Sequence, residues 1–113
     1  MRDYATKYIG KKVKVIIDRP LGSQHPEHRF GYSVNYGYLE GTKAPDGEEI
    51  DAYLLGIDKP LTEFTGPVIA VVHRLDDQDD KLVVVPEGLK LTDEEIRKQV
   101  NFQEKYFKSE IIR

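Results

Sequence analysis

Alternating apolar and polar positions make β-strands the main elements of this chain. Lys12 to Asp18 begins as Lys-Val-Lys-Val and turns fully apolar, as a strand does on entering a core. Gly66 to His73 carries the strongest strand pattern and Lys81 to Val85 the next, so the acidic stretch 75–80 between them predicts a hairpin. Two shorter strands, Tyr36 to Leu39 and Ile50 to Leu55, flank Pro45-Asp46-Gly47. That step is a turn, because proline presets φ and glycine accepts a positive one. Pro20, Gly22 and Pro26 bound a loop without a strand signal of its own.

The pattern changes after Thr92. Thr92-Asp93-Glu94-Glu95 has the form of a capping box, in which the threonine hydroxyl accepts from the Glu95 amide and the Glu95 side chain reaches back. Ile96, Val100 and Phe107 come next at helical spacing, with Phe102 and Tyr106 as an i,i+4 pair. A helix of about four turns results, with Lys105 and Lys108 favourably placed for its dipole. The sum is a mainly β fold, most economically a small OB-like closed β-barrel with one C-terminal α-helix.

Composition narrows the class. The 113 residues make one domain, 1–113, with no repeat or linker. Zero cysteines exclude disulfides, thiolate zinc sites and cysteine nucleophiles. No apolar run approaches the roughly 20 residues of a membrane span, and Met1-Arg2-Asp3-Tyr4 opens no signal peptide, so a cytoplasmic protein is expected. A net charge of −3 argues against a general nucleic-acid binder. No heptad or apolar patch fixes an oligomeric state, which leaves pairing of copies open.

Candidate chemistry concentrates in Asp46-Gly47-Glu48-Glu49-Ile50-Asp51-Ala52, just behind Tyr32, Tyr36 and Tyr38. Carboxylates this dense stay ionised only with compensating positive charge, and hard oxygen ligands suit Mg²⁺, Mn²⁺ or Ca²⁺. On a regular strand Asp46 and Glu48 share a face that Asp51 does not, so all three converge only across a turn or bulge. Taken alone, this reads as a solvated polar turn rather than a site. A second acidic cluster, Asp76-Asp77-Gln78-Asp79-Asp80, leads into Lys81 and lacks the glycine and terminal glutamate of an EF-hand loop. Together the two clusters point to a metal-assembled site for a phosphate-bearing substrate, with Lys81 and tyrosine hydroxyls on the remaining oxygens. The tyrosines by themselves read as an amphipathic strand face. His25, His28 and His73 have no zinc-binding spacing, and no phosphate-binding glycine loop or nucleophile elbow occurs.

These residues resemble a known family, the soluble, metal-dependent inorganic pyrophosphatases of the barrel type (family I). Asp46-Gly47-Glu48-Glu49-Ile50-Asp51-Ala52 matches the acidic frame of D-G-D-P-x-D-x, with glutamate for the middle aspartate. Val34-Asn35-Tyr36-Gly37-Tyr38 is similar to P-x-N-Y-G-Y, and Asp79-Asp80-Lys81-Leu82-Val83-Val84-Val85-Pro86 to D-x-K-L-x-x-V-P. The order and spacing agree over roughly residues 15–90, and Phe102 to Lys108 resembles the family's aromatic-plus-lysine helix.

The resemblance implies hydrolysis of inorganic pyrophosphate to two phosphates by metal-activated water, with Mg²⁺ as cofactor or Mn²⁺ in its place. By the same resemblance, Asp46, Glu48, Asp51, Asp79 and one of Asp76 or Asp77 hold the metals, and Glu48 orients the attacking water. Lys81, Tyr36, Tyr106, Arg29 and, one residue out of register, Lys108 contact phosphate oxygens. Asp18 resembles the acid that ends the family's first strand. A lysine and glutamate carried by the family on a further strand have no counterpart here, leaving Gln24 or His25 near the lysine position, and Glu49 replaces the motif's proline. That shortening motivates an alternative on the same fold, a cation-dependent binder or hydrolase of another phosphate compound. A third reading is an OB-like module stacking single-stranded bases on Phe30, Tyr32 and Tyr36, which the neighbouring acidic turns oppose.

Overall fold

The computed structural model describes residues 4–27, 30–77 and 79–113. Among them, strands β1 (Lys12–Arg19), β2 (Asn35–Leu39), β3 (Ile50–Leu54), β4 (Glu63–Arg74) and β5 (Lys81–Val84) precede helix α1 (Asp93–Glu104) and a last strand, β6 (Ser109–Ile112). The strands run in the order β1-β2-β3-β5-β4-β6, and pairing of β1 with β4 closes the first five into a barrel. The mainly β, OB-like barrel with one helix is therefore what the alternation predicts. No helix among the described residues is long and apolar enough to cross a membrane.

Two faces of one wall carry two different cores. Along β3 and β5, Ala52, Leu54, Leu82 and Val84 pack with Val15, Ile17, Leu39 and Val71 in an aliphatic cluster. Tyr53, Val83 and Tyr36, one residue out of phase, pack instead with Ile96 and Val100 of α1. The side that meets the helix is the outside of the barrel, so the aliphatic cluster fills its interior. All four β5 residues are buried, because interior and helix cover both faces. Each fully buried Leu or Val contributes about 1.5–3 kcal/mol by leaving water.

Three features position the site. First, β3 and β5 pair in parallel, setting Asp51 opposite Lys81 and Tyr53 opposite Val83. The other named strand pairings are antiparallel, and this parallel one arises because β5 inserts between β3 and β4. Second, a register shift in β1 after Ile17 brings Arg19 opposite Tyr36. Third, β1 and β2 approach so closely at Gly37 that a Cβ there would collide with the Ile16 carbonyl, which explains the glycine between Tyr36 and Tyr38.

The capping box forms as expected: the Glu95 amide donates to Thr92 Oγ1 at 3.1 Å, and the Thr92 amide to Glu95 Oε1 at 2.8 Å. The helix is shorter than its periodicity suggests. It ends at Glu104, and three-residue bonds from Tyr106 to Gln103 and from Phe107 to Glu104 turn the chain out of the helix. Tyr106, Phe107 and Lys108 therefore lie beyond it. The turn feeds β6, which pairs with the far half of β4 along the edge that β1 leaves open. In the loop before β2, Gln24 and Gly31 form an isolated antiparallel bridge.

Candidate active site

A cavity of about 640 Å³ opens on the outer face of the barrel, between the sheet, the end of α1 and the loop before β2. Asp18 and Arg19 from β1, Tyr36 from β2, Asp51 from β3, Arg74 from β4 and Lys81 from β5 all reach it. Gln103, Tyr106, Phe107, Asp79 and the loop residues His25, Phe30 and Tyr32 complete its wall.

Lys81 is the centre of this arrangement. It is 3% exposed, and its ammonium donates to Asp51 Oδ2 and to Asp79 Oδ2, each at 2.6 Å. The parallel register fixes Asp51 and Lys81 on one face, and the hairpin loop returns Asp79 to the same ammonium. Tyr36 Oη also donates to Asp51 Oδ2, at 2.9 Å. Burial, reinforced by the Asp51 charge, holds the Tyr36 phenol well above its ordinary range, so it acts as a donor. Burial also raises the Asp18 carboxyl, against the opposing pull of Arg19.

A second network lies deeper. Arg74 donates through Nε to Glu104 Oε1 at 3.0 Å and through Nη2 to Oε2 at 2.7 Å. Tyr53 Oη donates to Glu104 Oε2 at 2.6 Å and accepts from Gln103 Nε2 at 2.8 Å, while Tyr32 Oη donates to Gln103 Oε1 at 3.2 Å. Burial, then the Glu104 charge, raises the Tyr53 phenol well above its ordinary range. For Arg74 burial acts downward, and the Glu104 bonds and charge outweigh it, so the guanidinium stays charged.

The residues singled out from sequence divide into two groups. Tyr36, Asp51, Asp79, Lys81 and Tyr106 line the cavity together, Tyr106 at its rim with 60% exposure. Asp46 and Glu48 do not line it. The turn expected at Gly47 is present, with φ of 89°, but it leaves both carboxylates exposed, and Asp46 Oδ1 accepts from the Glu48 amide at 3.0 Å. Asp76 and Lys108 also stay outside the wall, joined to each other by a bond from the Lys108 amide to Asp76 Oδ2 at 3.1 Å. Arg29 falls outside the described residues.

Arg19 and Arg74, which line the cavity, and Glu104, which holds Arg74, are residues that the sequence reasoning passed over. Arg74 had a visible signal, a charged residue closing an otherwise apolar strand. Arg19 had none, because only the register shift in β1 places it opposite Tyr36.

The carboxylates Asp18, Asp51 and Asp79 on one wall fit a hard divalent cation in donor type. Among the described residues no three acidic or imidazole groups are gathered into a finished metal cage, and Lys81 is the cation between Asp51 and Asp79.

The architecture is similar to that of solved inorganic pyrophosphatases. The structure from Neisseria gonorrhoeae aligns with a TM-score of 0.67 and 23% identity, over 86% of this chain and 74% of that one. The structure from Ehrlichia chaffeensis gives 0.69 and 18%, over 90% and 85%. That from Helicobacter pylori gives 0.68 and 17%, over 89% and 84%. At these identities the likeness is one of fold. No curated protein sequence matches the chain. The family model described as inorganic pyrophosphatase matches residues 6–111. With that match running through nearly the whole barrel, helix and cavity, the chain belongs to the inorganic pyrophosphatase family.

Proposed function

We propose that the protein hydrolyses inorganic pyrophosphate to two phosphates, assisted by Mg²⁺ or Mn²⁺. The observation that carries this reading is the Lys81 ammonium seated between Asp51 and Asp79 in a cavity that also presents Tyr36, Arg19 and Asp18. Positive and negative groups on rigid strands can receive a polyanion and its counter-cations together. Asp18, Asp51 and Asp79 are the residues that would hold the metal; Asp46, Glu48 and Asp76, which the family resemblance would add, stand outside the cavity wall. The chemistry that a cation held there would supply is Lewis-acid polarisation of a phosphoryl oxygen and a lowered pKa for nearby water.

The chain's own residues have separable tasks. Hydrolysis joins a water oxygen to one phosphorus and breaks the bond from that phosphorus to the bridging oxygen, so negative charge must be met at both ends. Lys81 meets it in the interior, and Arg19 and Tyr106 meet it on the wall and at the rim. Tyr36, held as a phenol, fixes the orientation of Asp51 by donating to it. Arg29 and Lys108 are secondary contacts.

Phosphate release from pyrophosphate, titrated with Mg²⁺ and Mn²⁺, tests the reading. Metal-dependent turnover is expected, and Asp51→Asn should lower it by about a hundredfold or more while the fold survives. Unchanged turnover in that variant would sink the assignment. Release from other phosphate compounds but not from pyrophosphate would replace the substrate.

A further inference from the structure

Arg74 ends β4 with 5% of its surface exposed, yet it lines the cavity. One edge of its guanidinium is clamped by the two short bonds to Glu104, which Tyr53 supports from behind. Phe107 covers one face of the group, with the ring centroid 3.7 Å away. Among the described residues, Nη1 approaches carboxylates at longer range, Asp77 Oδ2 at 3.4 Å and Asp79 Oδ2 at 3.8 Å. Strong charge-assisted bonds run near 2.7–2.9 Å, so these two contacts are weak beside the Glu104 pair. A fork fixed on one edge, with longer contacts on the other, is preorganised to donate to an incoming oxyanion.

The neighbouring sequence favours the same role. The residue directly after Tyr106 is Phe107, whose ring backs Arg74. The displaced Lys108 lies outside the cavity wall.

We propose that Arg74 is a substrate-binding residue, its Nη1 donating to a phosphate oxygen of pyrophosphate, and that Glu104 and Phe107 are the residues that position it. This rests on the protein being a pyrophosphate hydrolase. The contribution is specific to the planar fork, since Nε and Nη2 are committed to Glu104 and a lysine could not hold that pair and a phosphate at once.

Calorimetric binding of imidodiphosphate, a non-hydrolysable pyrophosphate analogue, in Mg²⁺ tests the proposal against a purely structural role. Arg74→Met alone would strand the buried Glu104 charge, so it is combined with Glu104→Gln, which keeps an acceptor for Tyr53. Affinity in the double variant should fall by roughly tenfold to a hundredfold. Glu104→Gln alone should lose less, and Arg74→Lys should lie between. In turnover, KM should rise more than kcat falls. Wild-type affinity in the folded double variant, or a loss equal to that of Glu104→Gln alone, overturns the Arg74 role while leaving the hydrolysis reading standing. Should the double variant fail to fold, Arg74→Lys decides: weaker binding supports the proposal and unchanged binding overturns it. A wild-type protein that neither binds the analogue nor hydrolyses pyrophosphate overturns both readings.

Discussion

The acidic turns at 45–49 and 75–80 look alike in sequence, and the fold treats them differently. The first stays on the surface, where Asp46 caps the Glu48 amide and the Ala44 amide bonds the Glu48 carbonyl at 2.7 Å. From the second, Asp79 reaches the cavity on Lys81 and Asp77 contacts Arg74, while Asp76 stays outside. The difference lies in the strand that each turn enters. A hairpin return into β5 brings Asp79 within reach of a buried ammonium, whereas β3 carries only Asp51, at its very start, onto that face. Acidic density alone does not make a site; a nearby buried cation does.

Substitutions can break this contrast or sharpen it. The largest effect is expected at Lys81. Lys81→Met leaves Asp51 and Asp79 facing one another without their shared cation, so turnover should fall by roughly a hundredfold or more. Because both carboxylates are about a third exposed, the cost in stability should stay near 1–3 kcal/mol, read from denaturant unfolding. A milder loss, of roughly tenfold in turnover, is expected for Tyr36→Phe, which removes one bond to Asp51 and keeps the ring packed against Tyr53. The smallest is Asp46→Asn, at less than about threefold, because its side chain serves its own turn and asparagine can still cap it. A loss as large as that of Asp51→Asn would instead bring the first turn into the working site and erase the distinction.

Alkaline unfolding sharpens the contrast from the stability side. Tyr36 and Tyr53 have their folded values raised above the ordinary phenol range near 10. Their contribution is complete below that range and is lost as pH rises through the folded values. Thermal stability should therefore fall above about pH 10, and Tyr53→Phe should flatten part of that fall. A pH-independent melting temperature across this window would argue against phenols held neutral by burial and carboxylates.

Much of the barrel was legible because period-two alternation reports one buried face directly: Lys12 to Asp18, Ile50 to Leu55 and Gly66 to His73 each became strands within a few residues. The parallel β3–β5 pair was not legible, since strand periodicity carries no information on which strand lies beside which. β6 was missed because four residues after a helix, three half-buried and one exposed, give too short a pattern, and because the spacing of Phe102, Tyr106 and Phe107 mimics helix. In the site, Asp51, Asp79, Lys81, Tyr36 and Tyr106 could be named because their motifs carry them. Arg19 depends on a register shift, and Glu104 on where a helix stops, and neither is written in local composition.

The parallel pair also governs when the cavity can exist. Asp51 and Lys81 meet across 30 residues of chain, and β5 lies between β3 and β4 in the sheet. Contacts this distant in sequence need the loop between them closed before they return any stabilisation, which makes them slow to form. The ammonium–carboxylate centre is therefore expected to complete later than the local hairpins. Recovery of hydrolysis during refolding would time the completion of the barrel, and a chain halted earlier would hold the acidic residues without a place to use them.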